Sequence, residues 1–281
     1  MYFRKKNLEV IKYDIIPMIN EFGHNGGLIR WIENSDPINT LLKRIRARFN
    51  INVQLEREKE KDRQPIDMAT EHVSILQKVE QFQYVQETTK DCAYHLAKVL
   101  WLGSASAEIW FDKRTNFTRS LALMSMIGYV LGLGDRHVSN ILIISTNGKV
   151  AHIDFGDSFE AAVQRETVPE KVPFRLTRML VKAMEVTGVN GSFKKICRDS
   201  MKMCRDNKES ILAVLEAFVQ DPVVLESQKT RRKIKHEERG RNHPGSNRAM
   251  EPFDEGREDL LQEKRIIKRV KDKLGRDLFW Y

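Results

Sequence analysis

The sequence predicts a predominantly α-helical α+β domain with a small antiparallel sheet. Three observations carry that expectation. The apolar runs Ile141–Ile144 and Val150–Ile153 flank Thr146-Asn147-Gly148-Lys149, and Asn-Gly between β-branched runs is the strongest short-range hairpin signal. The run Leu121–Leu131 is apolar all round, as expected of a helix buried on every side. Several further segments repeat apolar residues at helical spacing.

In chain order, residues 8–15 (LEVIKYDI) are β-branched and partly alternating, which predicts a strand. Gly26-Gly27 marks a turn, and Leu28–Ile32 reads as a second short strand. Asp36 is placed to cap a helix with Pro37 at its first position, and INTLLKRIRARF continues at helical spacing. Residues 55–70 are highly charged and broken by Pro65, so they read as an exposed excursion. Ser74–Val85 and Cys92–Leu102 return to helical patterning, the second with a buried character. Gly132 and Gly134 end the long apolar helix. Asp157–Arg175 carries Pro169 and Pro173 with little periodicity, the mark of a functional loop. Leu176–Val186, Lys194–Cys204 and Glu209–Gln220 resume helical spacing, with Asn207 placed to cap the last. Gln228–Pro252 is polar, basic and aperiodic, a disordered composition. Asp259–Leu274 is an amphipathic helix.

Composition narrows the functional classes. The 281 residues are 41% hydrophobic and 31% charged, enough to bury a core. No apolar run reaches the roughly 18–20 residues of a membrane span, and the first residues lack the apolar core of a signal peptide. Three cysteines without a CxxC pair make disulfides and zinc unexpected and fit a reducing compartment. The net charge is +9, but residues 226–250 hold eight Lys/Arg against three Asp/Glu. That concentration argues against a nucleic-acid-binding face spread over the fold. The basic run Lys229–Arg241 reads as a solvated insertion, with a nuclear signal or an acidic-lipid or nucleic-acid site as alternatives.

The hairpin also places chemistry. A hairpin brings the outer ends of its strands together, so Asn140, just before the first strand, meets Asp154, just after the second. Asp135 lies in the same loop as Asn140. Three oxygen-bearing side chains suit a hard divalent cation and phosphoryl transfer. Asp135 is the candidate base or orienter, and Asn140 and Asp154 are the candidate metal ligands. His137 either meets the developing phosphoryl charge or holds the loop. Arg136 is expected to pair with an acid. On a continuing strand His152 and Asp154 would share one face, with His152 structural. Trp31 is either a wall for a flat ligand or a core residue. The Asp-x4-Asn spacing and the later Asp-Phe-Gly match the protein-kinase catalytic and metal loops, with Asp-Arg-His standing where ordinary kinases read His-Arg-Asp.

GLGDRHVSNILI, HIDFGD, EKVPFRLTRMLVKAMEVTG and VLEAFVQDP resemble the phosphatidylinositol 3-kinase-related protein kinases, and within them the target-of-rapamycin (TOR) kinases. GLIRWIENSDPI and WFDKRTNFTRSLALMSMIGYVLG add to the match, which covers roughly residues 8–225 and resumes at Ile266–Asp277. The resemblance implies a PI3/PI4-kinase-type C-lobe with a remnant of the N-lobe sheet, ATP with Mg²⁺, and phosphorylation of Ser/Thr in proteins in growth and nutrient signalling. It assigns Asp135 and His137 to catalysis and Asn140 and Asp154 to the metal. Ile29, Trp31, Ile32, Leu142 and Ile153 would line the adenine pocket.

By the same resemblance, residues 1–33 end the N-lobe and form the hinge, and 34–225 form the C-lobe. Within the C-lobe, 132–140 is the catalytic loop and 154–178 the activation segment. Residues 46–85 match an insertion that binds a WD-repeat β-propeller subunit, within a larger complex of scaffold subunits. Residues 226–257 fall at a variable insertion and 258–281 at a partial C-terminal (FATC-like) region. A cytoplasmic location is expected, with endomembrane surfaces and a nuclear pool as further sites, and no direct nucleic-acid partner. No glycine-rich loop or phosphate-binding lysine precedes Trp31, so the isolated chain is expected to show little kinase activity. A non-catalytic scaffold is the alternative; a phosphatidylinositol kinase fits less well, because residues 157–178 are nearly charge-balanced and an inositol-lipid substrate favours a basic segment.

Overall fold

A computed structural model describes residues 8–19, 25–62, 74–165, 169–219 and 255–275. The basic stretch 228–252 and Pro65 lie outside them. The chain divides into two compact units, residues 1–199 and Ser200–Tyr281.

The first unit opens with a hairpin of β1 (Ile15–Ile19) and β2 (Asn25–Ile29), paired antiparallel with Ile15 opposite Ile29. The strand expected over 8–15 therefore starts only at its last residue. β-propensity is expressed only against a pairing partner, and β2 has no residues left to pair with anything before Ile15. The preceding segment is held otherwise: Glu9 pairs with Lys149 at 2.8 Å, and the Arg30 N–H donates to the Asp14 carbonyl at 2.9 Å.

β3 (Ser35–Pro37), β4 (Ile141–Ile144) and β5 (Val150–His152) form an antiparallel sheet in the order β3-β4-β5. β4 and β5 are the expected hairpin. α1 (Ile38–Arg48) follows β3 directly. Asp36 does not cap it. Asp36 sits in β3 opposite Ile143, and its carboxylate accepts from Arg44 at 2.7 Å.

The charged excursion begins with α2 (Leu55–Asp62), which has no buried residue. Buried Arg46 ties it down by donating to Glu56 at 2.7 Å, while its Nε donates to His95 Nδ1 at 3.2 Å. α3 (Ile75–Thr88) starts with a capping box between Ser74 and Gln77. A 3₁₀ turn (Lys90–Tyr94) leads into α4 (His95–Leu102). Leu96 and Leu100 of α4 are buried, but Trp101 and Leu102 are exposed, so only one face meets the core.

α5 (Ala107–Leu131) is the central element. Phe117, Leu121, Ala122, Leu123 and Met126 are at most 1% exposed. Ser106 caps its N-terminus by accepting the Ile109 N–H at 3.3 Å. The β4–β5 hairpin docks on it through polar contacts: the Val150 N–H donates to Ser120 Oγ at 2.9 Å, and Asn116 Nδ2 donates to the Asn147 carbonyl at 3.0 Å. Gly148 in the turn has φ +75°, and a Cβ there would lie 2.5 Å from the Lys113 carbonyl oxygen. Gly148→Ala should therefore cost about 2–3 kcal/mol, by left-handed strain plus displacement of the turn from α5. Chemical denaturation reads this directly, and an unchanged midpoint would contradict it.

α6 (Arg178–Ala183) is shorter than its apolar pattern. Arg114 Nε donates to the Met184 carbonyl at 2.6 Å, and the Glu185 N–H donates to Thr118 Oγ1 at 3.2 Å. These bonds to α5 take the backbone groups a continuing helix would have used. α7 (Ser192–Asp206) begins in the first unit, where Phe193 and Cys197 are fully buried.

In the second unit α8 (Lys208–Val219) and α9 (Glu255–Gly275) contact each other. Leu212 and Leu215 are buried on α8, and Ile266, Val270 and Leu274 on α9, the spacing of a helical stripe. Among the described residues no helix is long and apolar enough to cross a membrane.

Candidate active site

The site hangs from the end of α5. Gly132 takes φ +61°, and the Leu133 N–H returns to the Gly128 carbonyl at 2.8 Å, closing the helix as a glycine C-cap. The loop to Asn140 then lies beside the segment that leaves β5. The Ile153 N–H donates to the Asn140 carbonyl at 3.1 Å, so the two outer ends of the hairpin are joined. The Asn39 N–H donates to the Val138 carbonyl at 3.0 Å, pinning the loop to the start of α1.

Arg136 organises both loops. It is 7% exposed. Its Nε donates to the Gly134 carbonyl at 2.8 Å and its Nη1 to the Ile153 carbonyl at 2.6 Å, while its Nη2 donates to the Asp154 carbonyl. The expected partner was an acid; the observed partners are three carbonyls. Burial pulls the Arg136 pKa down, against the carboxylates of Asp154, Asp135 and Glu170, which favour its charge.

Asp135 and Asp154 both adopt left-handed backbone, with φ +54° and +58°, tolerated best by Gly, Asn and Asp. Asp135 is held at both backbone poles. Its N–H points between the Glu170 carboxylate oxygens at 3.0 and 3.2 Å, and its carbonyl accepts from Asn140 Nδ2 at 3.0 Å. With Nδ2 so engaged, Asn140 keeps its amide oxygen for another partner. His137 Nδ1 accepts the Ser139 N–H at 3.1 Å, which leaves Nε2 as the ring's N–H donor, 3.9 Å from Asp135 Oδ2. Asp154 is exposed, and its Oδ1 accepts the Gly156 N–H at 3.2 Å. Asn140 and Asp154 are hard oxygen donors, the chemistry Mg²⁺ selects.

His152 and Asp154 do not share a face. The positive φ at Asp154 breaks the strand alternation, so His152 is buried while Asp154 meets solvent. Neither His152 ring nitrogen has a protein partner among the described residues. Burial pushes its pKa down to about 3, which keeps it neutral. It lines a cavity of about 10 Å³ with Ser125, Gly128, Arg136 and Phe174, room for one water.

The residues expected at the adenine are distributed unevenly. Trp31 is 58% and Ile29 66% exposed, which removes the core reading of Trp31. Ile32 and Ile153 are half-buried. Leu142 is 0% exposed, paired with Pro37 and Ala151 in the middle strand. It therefore stiffens the sheet beneath and presents no surface to a ligand. The turn before β3 is fixed by the Ser145 N–H, which donates to the Asn34 carbonyl at 2.7 Å.

Sequence reasoning missed two residues. The Tyr13 ring lies 6.4 Å from that of Phe155, and the Tyr13 hydroxyl meets the Asp154 backbone; burial raises its pKa. No local pattern marks Tyr13. Glu170 sat in a loop recognised as functional, but aperiodic sequence does not say which acid faces the site.

A loop carboxylate beside a histidine, joined to an Asn and an Asp across a hairpin and suspended from a buried helix, defines a phosphotransferase lobe of the protein-kinase type. Comparison with known proteins agrees. The family model for phosphatidylinositol 3- and 4-kinase matches residues 5–227. The chain belongs to this family, and over most of its length it is similar to Ser/Thr-protein kinases of the TOR type. It is 46% identical over 220 residues to the serine/threonine-protein kinase mTor of Drosophila melanogaster, and 47% identical over 220 residues to the serine/threonine-protein kinase TOR2 of Saccharomyces cerevisiae. Each match covers 78% of this chain and 8% of the relative's length. Among solved structures, a Tel1 kinase dimer superposes with a TM-score of 0.71 at 26% identity, over 98% of this chain and 10% of that one. The FAT and kinase domain of CtTel1 superposes with a TM-score of 0.68 at 27% identity, over 99% and 17%.

Proposed function

We propose that this chain supplies the catalytic and metal loops of a TOR-like Ser/Thr protein kinase that transfers the ATP γ-phosphate to protein hydroxyls. The observation that carries the reading is the joining of Asp135, Asn140 and Asp154 into one unit through Arg136 and the Asn140 hydrogen bonds. Asp135 orients the substrate hydroxyl and takes its proton as the new O–P bond forms and the bond to the leaving ADP breaks. The protonated His137 Nε2 faces the same space and stabilises phosphoryl charge. Asn140 and Asp154 would hold Mg²⁺, which would supply neutralisation of the phosphate charge. Ile29, Trp31, Ile32 and Ile153 offer apolar surface to adenine.

The test is transfer of labelled γ-phosphate to a Ser/Thr peptide and, in parallel, to phosphatidylinositol vesicles. It uses the purified chain and the longest polypeptide whose reading frame contains it. Peptide transfer that falls about 10³-fold in Asp135→Asn supports the reading. Transfer to lipid alone, or transfer indifferent to Asp135, overturns it.

A scaffold role is favoured by a separate observation. Ile75, Leu76, Val79 and Phe82 of α3 are 45–81% exposed and share one helical stripe. Such a stripe on the 46–85 insertion suits docking of a WD-repeat β-propeller subunit. A cytoplasmic location belongs to the same proposal.

A further inference from the structure

Glu170 has no assigned task, yet it touches the backbone of the candidate catalytic residue. Both its carboxylate oxygens accept the Asp135 N–H, at 3.0 and 3.2 Å. Glu170 is itself seated: its own N–H donates to the Ala162 carbonyl at 3.1 Å, and Arg165 Nη1 lies 3.4 Å from its Oε1. Arg165 also pairs with Asp157, and the Gly134 N–H donates to the Asp157 carbonyl at 2.9 Å. A Cβ at Gly134 would lie 2.3 Å from Ala162 Cβ and 3.5 Å from Glu170 Oε2, so only glycine lets the loop rest this close.

We propose that Glu170 is a positioning residue for phosphoryl transfer, aiming the Asp135 carboxylate by holding the Asp135 backbone in its left-handed conformation. The inference rests on the kinase reading and deepens it. A residue with a Cβ leaves the left-handed region unless its surroundings hold it there. The carboxylate supplies a charge-assisted hydrogen bond that does so. If Asp135 relaxed to negative φ, its side chain would turn away. Its carbonyl would also leave Asn140 Nδ2, and with it the orientation of the Asn140 amide oxygen. The Asp135 aim and the Asn140 aim are therefore set together by an acid on the segment after β5. The contact is to the backbone of the loop and not to the adenine surface, so kcat falls most, and Mg-ATP affinity falls by a smaller factor through the misaimed Asn140.

The experiment compares Glu170→Ala and Glu170→Gln in the whole chain and in the longest polypeptide containing it. Gln keeps an acceptor oxygen; Ala has none. Glu170→Ala should lower kcat about 10–100-fold, the scale of a misaimed catalytic group, with a rise in KM for Mg-ATP that is smaller than the fall in kcat. Glu170→Gln should recover most of the loss. Amide hydrogen exchange at residues 133–138 supplies a readout that needs no turnover. It should rise about ten-fold or more in Glu170→Ala and stay near the wild-type rate in Glu170→Gln. Unchanged exchange in Glu170→Ala overturns the inference, and so does exchange that rises equally along α5. An Asp135→Asn variant that is inert beside a fully active Glu170→Ala removes this inference alone. A fully active Asp135→Asn removes the kinase reading beneath it.

Discussion

Asp154→Ala is expected to abolish phosphotransfer, by about 10³-fold or more in kcat, while the protein stays folded. The carboxylate is exposed just beyond β5 and accepts the Gly156 N–H at 3.2 Å, so little packing is lost with it. On the proposed reading its chemical part is large, because a metal held there would neutralise charge in the transition state itself. Alanine tolerates the +58° backbone less well than aspartate, at a cost of about 1 kcal/mol. Asp154→Asn separates the two effects: it keeps the left-handed preference and removes only the charge. Both variants should lose activity, and only the alanine should show a lowered melting temperature. Near-normal kcat in either, at saturating Mg²⁺ and ATP, would sink the assignment of Asp154 to the metal.

Arg136→Ala should produce the largest combined loss of stability and activity. The guanidinium serves carbonyls of Gly134, Ile153 and Asp154, which belong to two different loops. Removing it leaves three carbonyls, that of Gly134 buried and those of Ile153 and Asp154 part-buried to exposed, without their donor. At about 1–3 kcal/mol for each unsatisfied group, with partial rehydration, the cost is about 3–4 kcal/mol. That corresponds to a melting temperature lower by about 10 °C for a unit of this size. Arg136→Lys keeps the charge but not the planar fork, so it should recover only part of the loss. Phosphotransfer falls in both variants, because the metal and catalytic loops no longer hold a common geometry. A melting temperature within about 2 °C of wild type in Arg136→Ala would show that the clasp is not a stability determinant.

Much of the fold was legible because its signals are local. The Asn-Gly turn required a hairpin wherever the rest of the chain lay. The all-apolar run 121–131 required a buried helix, and the glycines after it required an end. Misplaced elements failed for tertiary reasons. The strand at 8–15 shrank for want of a partner, and the helix at 176–186 ended early because α5 took its backbone groups.

For the site, spacing alone brought Asp135, Asn140 and Asp154 together, since a hairpin joins its outer ends whatever surrounds it. The family resemblance added the roles, including that of His137. Spacing did not reveal what holds those residues. Three contacts depend on segments distant in sequence meeting in space: Arg136 on carbonyls, Glu170 on the Asp135 N–H, and Tyr13 against Phe155. Left-handed backbone at both aspartates and the full burial of Leu142 are likewise products of packing. The sequence by itself therefore determined which polar groups would meet and which hairpin would collect them. Only the tertiary structure decided how they are aimed, because aim is set by hydrogen bonds between chain segments that no local pattern connects.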